Sequence, residues 1–290
     1  MTTHHEHGFD GLVFAGGGTR CFWQLGFWEA CAPTLGAPRV AAAVSAGAAI
    51  ACAALLGRCR ETLKTFQRAV AANPKNAYPE NLLRPGSPAV FPHEVMYRRA
   101  ILELVDAEAL RRLQEIDLRV AIGRPPPLVG GGLGLILGLA CYLASKRAGD
   151  PIHPGLARRL GFRAEIASVR GCRTPDELAD LILASSCTPP FTSRRTYRGQ
   201  PAIDGGVVDS APVFALRGEA RRALVLLTRS YRALPARRSD TLYVAPSSPV
   251  TLRKWDYTRP DLLAETYDLG RRDGEAFLRA EPLARPVRSL

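Results

Sequence analysis

The chain has 290 residues, of which 47% are hydrophobic and 23% are charged, so it can bury a large core and disorder is excluded for most of its length. Lysine and arginine outnumber aspartate and glutamate by 39 to 27, which gives a formal net charge of +12. Such a charge attracts phosphates in nucleic acid, in anionic lipid headgroups or in a small substrate, and by itself it does not choose among them.

Two features of the composition concern the cellular compartment. The seven cysteines include no C-x-x-C pair and are odd in number, which indicates buried thiols in a reducing compartment rather than a disulfide framework. Residues 1–8 show neither the basic nor the apolar region of a secretory signal. We interpret them, with their three histidines, as a flexible tip rather than a metal site, and we expect the protein in the cytoplasm.

Predicted strands alternate with predicted helices along the chain. An apolar strand at 11–15 leads through three glycines to a helix over 19–31, and a strand at 40–44 leads to a helix over 48–56. Further strands are predicted at 118–122 and 223–228, a strand and hairpin at 197–203, and helices at 174–184 and 261–278. This order predicts an α/β layer fold with a mostly parallel sheet. Because no linker divides the chain, we expect one domain over residues 9–290.

Two segments do not fit this alternation. Residues 71–92 are rich in proline and asparagine, which predicts a long surface excursion that could shape access to a site. Residues 128–144 carry no charge and include five glycines, between a proline triplet and a basic dipeptide. Three interpretations of this second segment stay open: a buried core helix, a membrane-dipping or lid element, and a membrane span at the lower limit of length.

The first candidate site is the run of Gly16, Gly17 and Gly18 between a predicted strand and a predicted helix. Consecutive glycines permit a sharp turn and expose backbone N–H groups at a helix N-terminus, where negative charge is stabilised. A dinucleotide-binding turn and a simple tight turn are alternatives. A P-loop is not supported, because no G-K-[ST] follows.

The second candidate is Ser45, which lies between a predicted strand and a predicted helix and is flanked by small residues. This placement lifts a serine hydroxyl out of a sharp turn, as in the G-x-S-x-G nucleophile elbow. Gly47 occupies the last position of that pattern, and Ala43 occupies the first, where the pattern has glycine. A strand end without chemistry is the alternative.

The third candidate is Asp204, which is followed by Gly205 and Gly206. An aspartate before two glycines is a turn by default, but a carboxylate within hydrogen-bond reach can also serve as the base that a nucleophilic serine requires. Outside the N-terminal tip the chain has two histidines, His93 and His153, each beside a proline. Either could complete a Ser-His-Asp triad, although nothing in its surroundings recommends it.

Taken together and in this order, the three clusters resemble the patatin-like phospholipase family. Residues 16–20 match its G-G-G-x-R/K motif, Ser45 and Gly47 match its elbow, and residues 204–206 match its D-G-G. Residues 183–191 look like its A-S-x-x-x-P segment, and residues 209–212 look like its D-N-x-P, with Ser210 in place of asparagine. The resemblance covers residues 9–228 directly, and residues 255–274 look like the tail of bacterial members.

The resemblance implies a three-layer α/β fold, in which helices flank a mostly parallel central sheet, and a serine hydrolase with a Ser-Asp dyad and no histidine. Ser45 would attack the ester carbonyl, Asp204 would be its base, and N–H groups of the glycine turn, Gly16, Gly17 and Gly18, would hold the oxyanion. Supporting roles fall to four further residues: Arg20, Gly47, Gly205 and Gly206.

The expected substrate is therefore a phospholipid or lysophospholipid ester. The alternative is a weakly active or inactive domain that binds anionic membrane surfaces through its arginines and residues 128–144. Nucleic-acid binding rests on charge alone, without a recognisable module, and is not expected. No cofactor is implied, and no metal is expected because the chain has no acidic calcium loop.

Overall fold

The computed structural model describes residues 8–83, 89–127, 138, 140, 144, 152–189, 191–231, 234–236 and 238–280. The strands of these residues are β1 (Gly11–Phe14), β2 (Val40–Val44), β3 (Leu118–Arg124), β4 (Arg163–Ser168), β5 (Arg195–Tyr197), β6 (Gln200–Asp204), β7 (Ala223–Leu226) and β8 (Thr241–Val244). The helices whose bounds are described are α1 (Phe22–Leu35), α2 (Ala46–Leu55), α3 (Cys59–Ala71), α4 (His93–Leu104), α5 (Ala107–Ile116), α6 (Leu156–Arg159), α7 (Pro175–Ser185) and α8 (Pro260–Ala280).

The strands form one eight-stranded sheet in the order β5-β6-β3-β2-β1-β7-β8, and β4 also pairs with β3. The five strands β3, β2, β1, β7 and β8 run parallel, while β4, β6 and β5 pair antiparallel. The predicted α/β class and mostly parallel sheet are therefore confirmed. The helices α3, α4, α5 and α6 and the strands β4 and β8 were not predicted.

Two predicted segments lie wholly or mainly outside the described residues. They are residues 1–7 of the N-terminal tip and most of the uncharged stretch 128–144. The described part of the proline-rich excursion 71–92 lies largely at the surface and contains a short 3-10 helix, Pro79–Leu83. No helix within the described residues has the length and apolar character needed to cross a membrane.

The sheet lies between two further layers, as residue alternation along β1 shows. Leu12 and Phe14 face a large cluster that includes the buried sides of α1, α2 and α8. Val13 and Ala15 face the opposite side, where they pack with the 3-10 helix Val213–Leu216 and neighbouring turns. Strands buried on both faces need continuous apolar sequence, which explains why β1, β2 and β7 were visible in the sequence.

The registers on β3 decide which residues meet at the site. β2 pairs with β3 up to Val44 opposite Ala121, and β6 pairs with β3 at the next position, Asp204 opposite Ile122. β4 occupies the other edge of β3 over its whole length from 119 to 124. Therefore β6 must lie on the same edge as β2, and the two strands meet end to end.

Candidate active site

Ser45 forms a sharp turn between β2 and α2. Its backbone has φ 57° and ψ −136°, a left-handed conformation that a non-glycine residue adopts only when its surroundings impose it. A Cβ on Gly47 would lie 2.6 Å from the carbonyl oxygen of Ala15, so the first turn of α2 packs directly against the end of β1. Ala43, at the first position of the elbow pattern, is fully buried, and the core accommodates its methyl group.

Asp204 ends β6 and faces Ser45. The Ser45 hydroxyl donates a hydrogen bond of 2.9 Å to Asp204 Oδ2, and the Gly206 N–H donates one of 2.8 Å to Oδ1. Both side chains are nearly buried, with 5% of Ser45 and 4% of Asp204 exposed. A Cβ on Gly205 would come within 2.3 Å of the Ala121 carbonyl oxygen, so the turn after the aspartate also requires glycine. The carboxylate is held in position to accept a proton from the hydroxyl.

Ser185, at the end of α7, fixes the backbone of the elbow. It accepts a hydrogen bond of 2.8 Å from the Ser45 N–H and donates one of 2.7 Å to the carbonyl oxygen of Ala121 on β3. The residue lies in the A-S-x-x-x-P segment that the sequence singled out, but its contact with Ser45 was not predicted. The A-S-x-x-x-P segment was the sequence signal from which a role for Ser185 at the site could have been inferred.

The glycine turn stands beside the elbow and leads into α1. The Gly16 N–H already donates to the carbonyl oxygen of Ser210 at 2.9 Å. Among the described residues outside helices and strands, no backbone carbonyl accepts from the Gly17 or Gly18 N–H. Gly18 has φ 62°, and a Cβ there would lie 2.0 Å from the Lys254 carbonyl oxygen, so no other residue fits. The Gly17 and Gly18 amides therefore stay candidates for the predicted oxyanion-binding role, whereas the Gly16 amide already has an acceptor.

Two further predicted residues support this turn. Arg20 Nε donates a long hydrogen bond of 3.4 Å to the Gly17 carbonyl oxygen. Ser210, which replaces the asparagine of the family pattern, donates from its hydroxyl to the Gly206 carbonyl oxygen at 3.3 Å. Because its own carbonyl accepts from Gly16, Ser210 links the turn after Asp204 to the glycine turn.

The two histidines take other partners. His153 places Nδ1 2.8 Å from Asp209 Oδ1 and Nε2 3.0 Å from the Tyr243 hydroxyl. His93 is buried against the ring of Tyr97, and burial lowers the pKa of its imidazole to about 3. In the described contacts Ser45 therefore pairs with Asp204, and neither His93 nor His153 contacts Ser45.

The Ser45–Asp204 pair opens into a cleft. Among the residues that line it, three are cationic, and only Arg20 of these was a candidate from the sequence; the others are Arg229 and Lys254. A separate, almost wholly apolar cavity lies between α2, α3 and α4. Its wall includes Ala49, one turn along α2 from Ser45, and Phe22, the first residue of α1. The serine turn and the glycine turn are therefore each followed by residues that line this cavity.

Within the described part of the chain, no group of three or more His, Cys, Asp or Glu side chains could hold a metal ion. The described cysteines are all free and buried, namely Cys21, Cys31, Cys52, Cys59, Cys172 and Cys187. Burial raises the pKa of Cys21, beside the glycine turn, to about 12, so its thiol stays protonated and is a poor nucleophile at neutral pH.

Comparison with known proteins agrees with this arrangement. No curated protein matches the chain. A family model described as Patatin-like phospholipase matches residues 12–217, a range that runs from β1 through the glycine turn, the serine elbow and the aspartate. This range is well over half of the 290 residues. The chain therefore belongs to the patatin-like phospholipase family.

Proposed function

We propose that the protein hydrolyses carboxylic ester bonds of phospholipids or lysophospholipids through a dyad of Ser45 and Asp204. Membership of the family supports a hydrolase that acts on lipid esters. The observation that carries the dyad is the 2.9 Å hydrogen bond from the Ser45 hydroxyl to Asp204 Oδ2 at the base of an open cleft. A nucleophile in contact with its base is the arrangement that acyl transfer requires.

In this mechanism Ser45 Oγ attacks the ester carbonyl carbon while its proton passes to Asp204. The resulting oxyanion accepts hydrogen bonds from the Gly17 and Gly18 N–H groups, and the N-terminus of α2 adds a positive dipole end. Collapse breaks the ester C–O bond, and Asp204 returns the proton to the leaving alcohol. Asp204 then takes a proton from water as the water oxygen attacks the acyl carbon. The bond between this carbon and Ser45 Oγ breaks, Asp204 returns the proton to Oγ, and the fatty acid leaves.

The apolar cavity beside α2 supports a lipid acyl group as the part of the substrate that is transferred. Ala49, Ile50 and Ala53 line it from α2, and they follow Ser45 by one to two helical turns. At 1.5 Å rise per residue, Ala53 lies about 12 Å along the helix from the nucleophile, a distance that an extended acyl chain spans. Such a chain would bury apolar surface against the side chains that line this cavity.

The test combines covalent labelling with turnover. A fluorophosphonate probe should label the wild-type protein and fail to label Ser45→Ala, while Asp204→Asn should lower kcat for fatty-acid release by about 10²–10⁴-fold, the range for loss of a general base. Ser186→Ala is the matched control, since Ser186 is a buried serine whose hydroxyl bonds to carbonyls of its own helix. Labelling that persists in Ser45→Ala would contradict the assignment of the nucleophile.

Fatty-acid release should be measured over phospholipid, lysophospholipid and triglyceride, with the Ser45→Ala protein alongside. Release from the first two that Ser45→Ala abolishes would support the proposed substrate class. Release from triglyceride alone would contradict the proposed substrate class but not the proposed Ser45–Asp204 dyad.

A second candidate function is a weakly active domain that binds anionic membrane surfaces, and the net charge of +12 favours it. No fatty acid released from any lipid of the panel, together with vesicle binding that Ser45→Ala leaves unchanged, would favour this candidate over hydrolysis.

A further inference from the structure

Asp209 carries a buried carboxylate close to the cleft, and the proposed mechanism does not use it. The residue is 3% exposed, and it precedes Ser210, which lines the cleft. Arg158 donates a hydrogen bond of 2.7 Å to its Oδ2, and Nδ1 of His153 lies 2.8 Å from its Oδ1. These partners hold the carboxylate in one orientation, so it can in turn fix the groups that bind to it.

One such group is the Ala211 N–H, which belongs to the same peptide unit as the Ser210 carbonyl. It donates to Asp209 Oδ1 at 3.0 Å, which is the local turn that aspartate and asparagine side chains form with the residue two positions on. The C=O and the N–H of a trans peptide unit lie in one plane and point in opposite directions. The carboxylate therefore sets the direction in which the Ser210 carbonyl points.

The Ser210 carbonyl points at the glycine turn. Its oxygen accepts the 2.9 Å hydrogen bond from the Gly16 N–H, which precedes the two amides that are proposed to bind the oxyanion. The Ser210 N–H donates to the Ile152 carbonyl oxygen at 3.2 Å, so the segment that carries His153 also holds Ser210. The position of the glycine turn thus depends on a carbonyl whose direction is set by Asp209.

The backbone of Asp209 is bonded to the turn of the proposed base as well. Its N–H donates to the Gly205 carbonyl oxygen at 2.9 Å, and Gly205 follows Asp204 directly. Asp209 therefore connects two turns: its backbone bonds to the turn after Asp204, and its side chain acts on the glycine turn through Ser210. The distance between the proposed base and the proposed oxyanion-binding amides depends on both connections.

We propose that Asp209 is a positioning residue for the ester hydrolysis: its carboxylate directs the Ser210 carbonyl to Gly16 and thereby places the glycine turn for oxyanion binding. The proposal rests on the proposed hydrolysis and adds to it a residue that acts through other groups. The geometry of the side-chain oxygen, rather than its charge, is what this role requires. Asparagine can form the same turn, whereas glutamate keeps the charge but carries its oxygens one methylene further from the backbone.

The experiment compares Asp209→Asn with Asp209→Glu on a soluble, monomeric ester. Asp209→Asn should keep kcat within about threefold of wild type, while Asp209→Glu should lower kcat about tenfold or more and change KM less than about twofold. The reason for this split is that a displaced oxyanion site weakens binding of the transition state and not of the ester. If Asp209→Glu does not fold, Asp209→Ala takes its place, since it removes the same acceptor without adding volume.

Asp10→Glu is the matched control. The Asp10 carboxylate also accepts from backbone N–H groups, those of Arg221 and Arg222, but it lies at the other end of β1 from the glycine turn. This variant should leave kcat near the wild-type value. A role of Asp209 limited to its ion pair with Arg158 would make Asp209→Asn slower than Asp209→Glu, and that order would overturn the proposal.

Hydrogen exchange tests the same coupling without turnover. The Gly16 N–H should exchange at least about tenfold faster in Asp209→Glu than in wild type, and at nearly the wild-type rate in Asp209→Asn and Asp10→Glu. This pattern in a protein that cleaves no ester would contradict the hydrolysis and support the control of the glycine turn by Asp209. Ester cleavage with equal kcat and equal exchange in all these variants would contradict the role of Asp209 alone.

Discussion

Ser45 adopts a backbone conformation that serine rarely takes, and a second serine holds it there. The Ser185 hydroxyl bridges the Ser45 N–H and the Ala121 carbonyl oxygen, so it connects α7, the elbow and β3. Its side chain is fully buried, which means that water cannot replace either hydrogen bond if the hydroxyl is removed. In the proposed mechanism Ser185 is therefore a positioning residue, which would act on the reaction through Ser45.

Replacement of Ser185 by alanine should lower both stability and turnover. We expect Ser185→Ala to reduce the free energy of unfolding by about 2 kcal/mol, because it leaves a buried donor and a buried acceptor without partners. We also expect kcat on a soluble ester to fall at least about tenfold as the elbow relaxes. Urea unfolding and steady-state kinetics measure the two effects.

The neighbouring Ser186 provides the control for this prediction. It is equally buried, but its hydroxyl donates to the carbonyl oxygens of Ile182 and Leu183 on its own helix. Ser186→Ala should therefore cost less than about 1 kcal/mol and leave kcat near the wild-type value. Equal losses in the two variants would show that Ser185 only fills space.

At the scale of elements, the crossing of α1 and α8 depends on glycine on both helices. A Cβ on Gly26 would lie 2.0 Å from the Tyr267 carbonyl oxygen, and a Cβ on Gly270 would lie 2.0 Å from that of Trp23. The helix backbones are thus in direct contact, and the Trp23 indole N–H also donates to Asp273 at 2.7 Å. Since α1 follows the glycine turn, this contact also fixes the helix next to the glycines that are proposed to bind the oxyanion.

Gly270→Ala should force α8 away from α1 and destabilise the protein by about 2–3 kcal/mol or more, the cost of overpacking. Gly155→Ala is the control: a Cβ there meets nothing within 4 Å, and the residue has an ordinary φ of −89°, so we expect a neutral or slightly stabilising effect. Midpoints of chemical denaturation compare the two. Equal midpoints for both variants would contradict the close crossing.

The elements themselves were predictable to different degrees. β1, β2 and β7 are continuous apolar runs, and β3 is apolar apart from its two arginines; the positions of all four were predicted within a few residues. β4 has a mixed sequence, RAEIAS, with one buried residue, because it lies off the main strand order, pairs with β3 and is only partly covered. Such a strand exists because β3 offers it a partner, and that partner lies far away in the sequence.

At the scale of the whole molecule, the charge of +12 is a property of the surface and predicts salt-dependent contact with anionic lipid. Each basic residue near such a surface contributes about 1 kcal/mol, and screening shortens the range of the interaction from about 10 Å at 0.1 M salt to about 3 Å at 1 M. The interaction should therefore be lost across that range of salt concentration.

Vesicle flotation tests this prediction, because it measures the fraction of the protein that is bound to lipid. Most of the protein should float with vesicles that contain anionic phospholipid at about 0.1 M salt, and most should be released at about 1 M. Vesicles of zwitterionic lipid serve as the control and should bind less at low salt. Binding that is equal in all four conditions would show that apolar contacts, rather than charge, attach the protein to lipid.

By itself, the sequence determined the fold class and the residues for which chemistry is proposed. Apolar runs, glycine turns and a serine between a strand and a helix are local features, because backbone geometry and burial constrain neighbouring residues directly. Only the tertiary structure decided which of these residues meet. Ser45 and Asp204 are 159 positions apart, and they touch because β2 and β6 end against each other on one edge of β3.

Three further contacts were decided by the tertiary structure alone. They are the hydrogen bond from the Gly16 N–H to the Ser210 carbonyl oxygen, the bridge that Ser185 makes to Ser45, and the approach of the basic residues to the cleft. Strand register sets the distances between residues remote in sequence, and register depends on the packing of the whole sheet, which no single segment specifies.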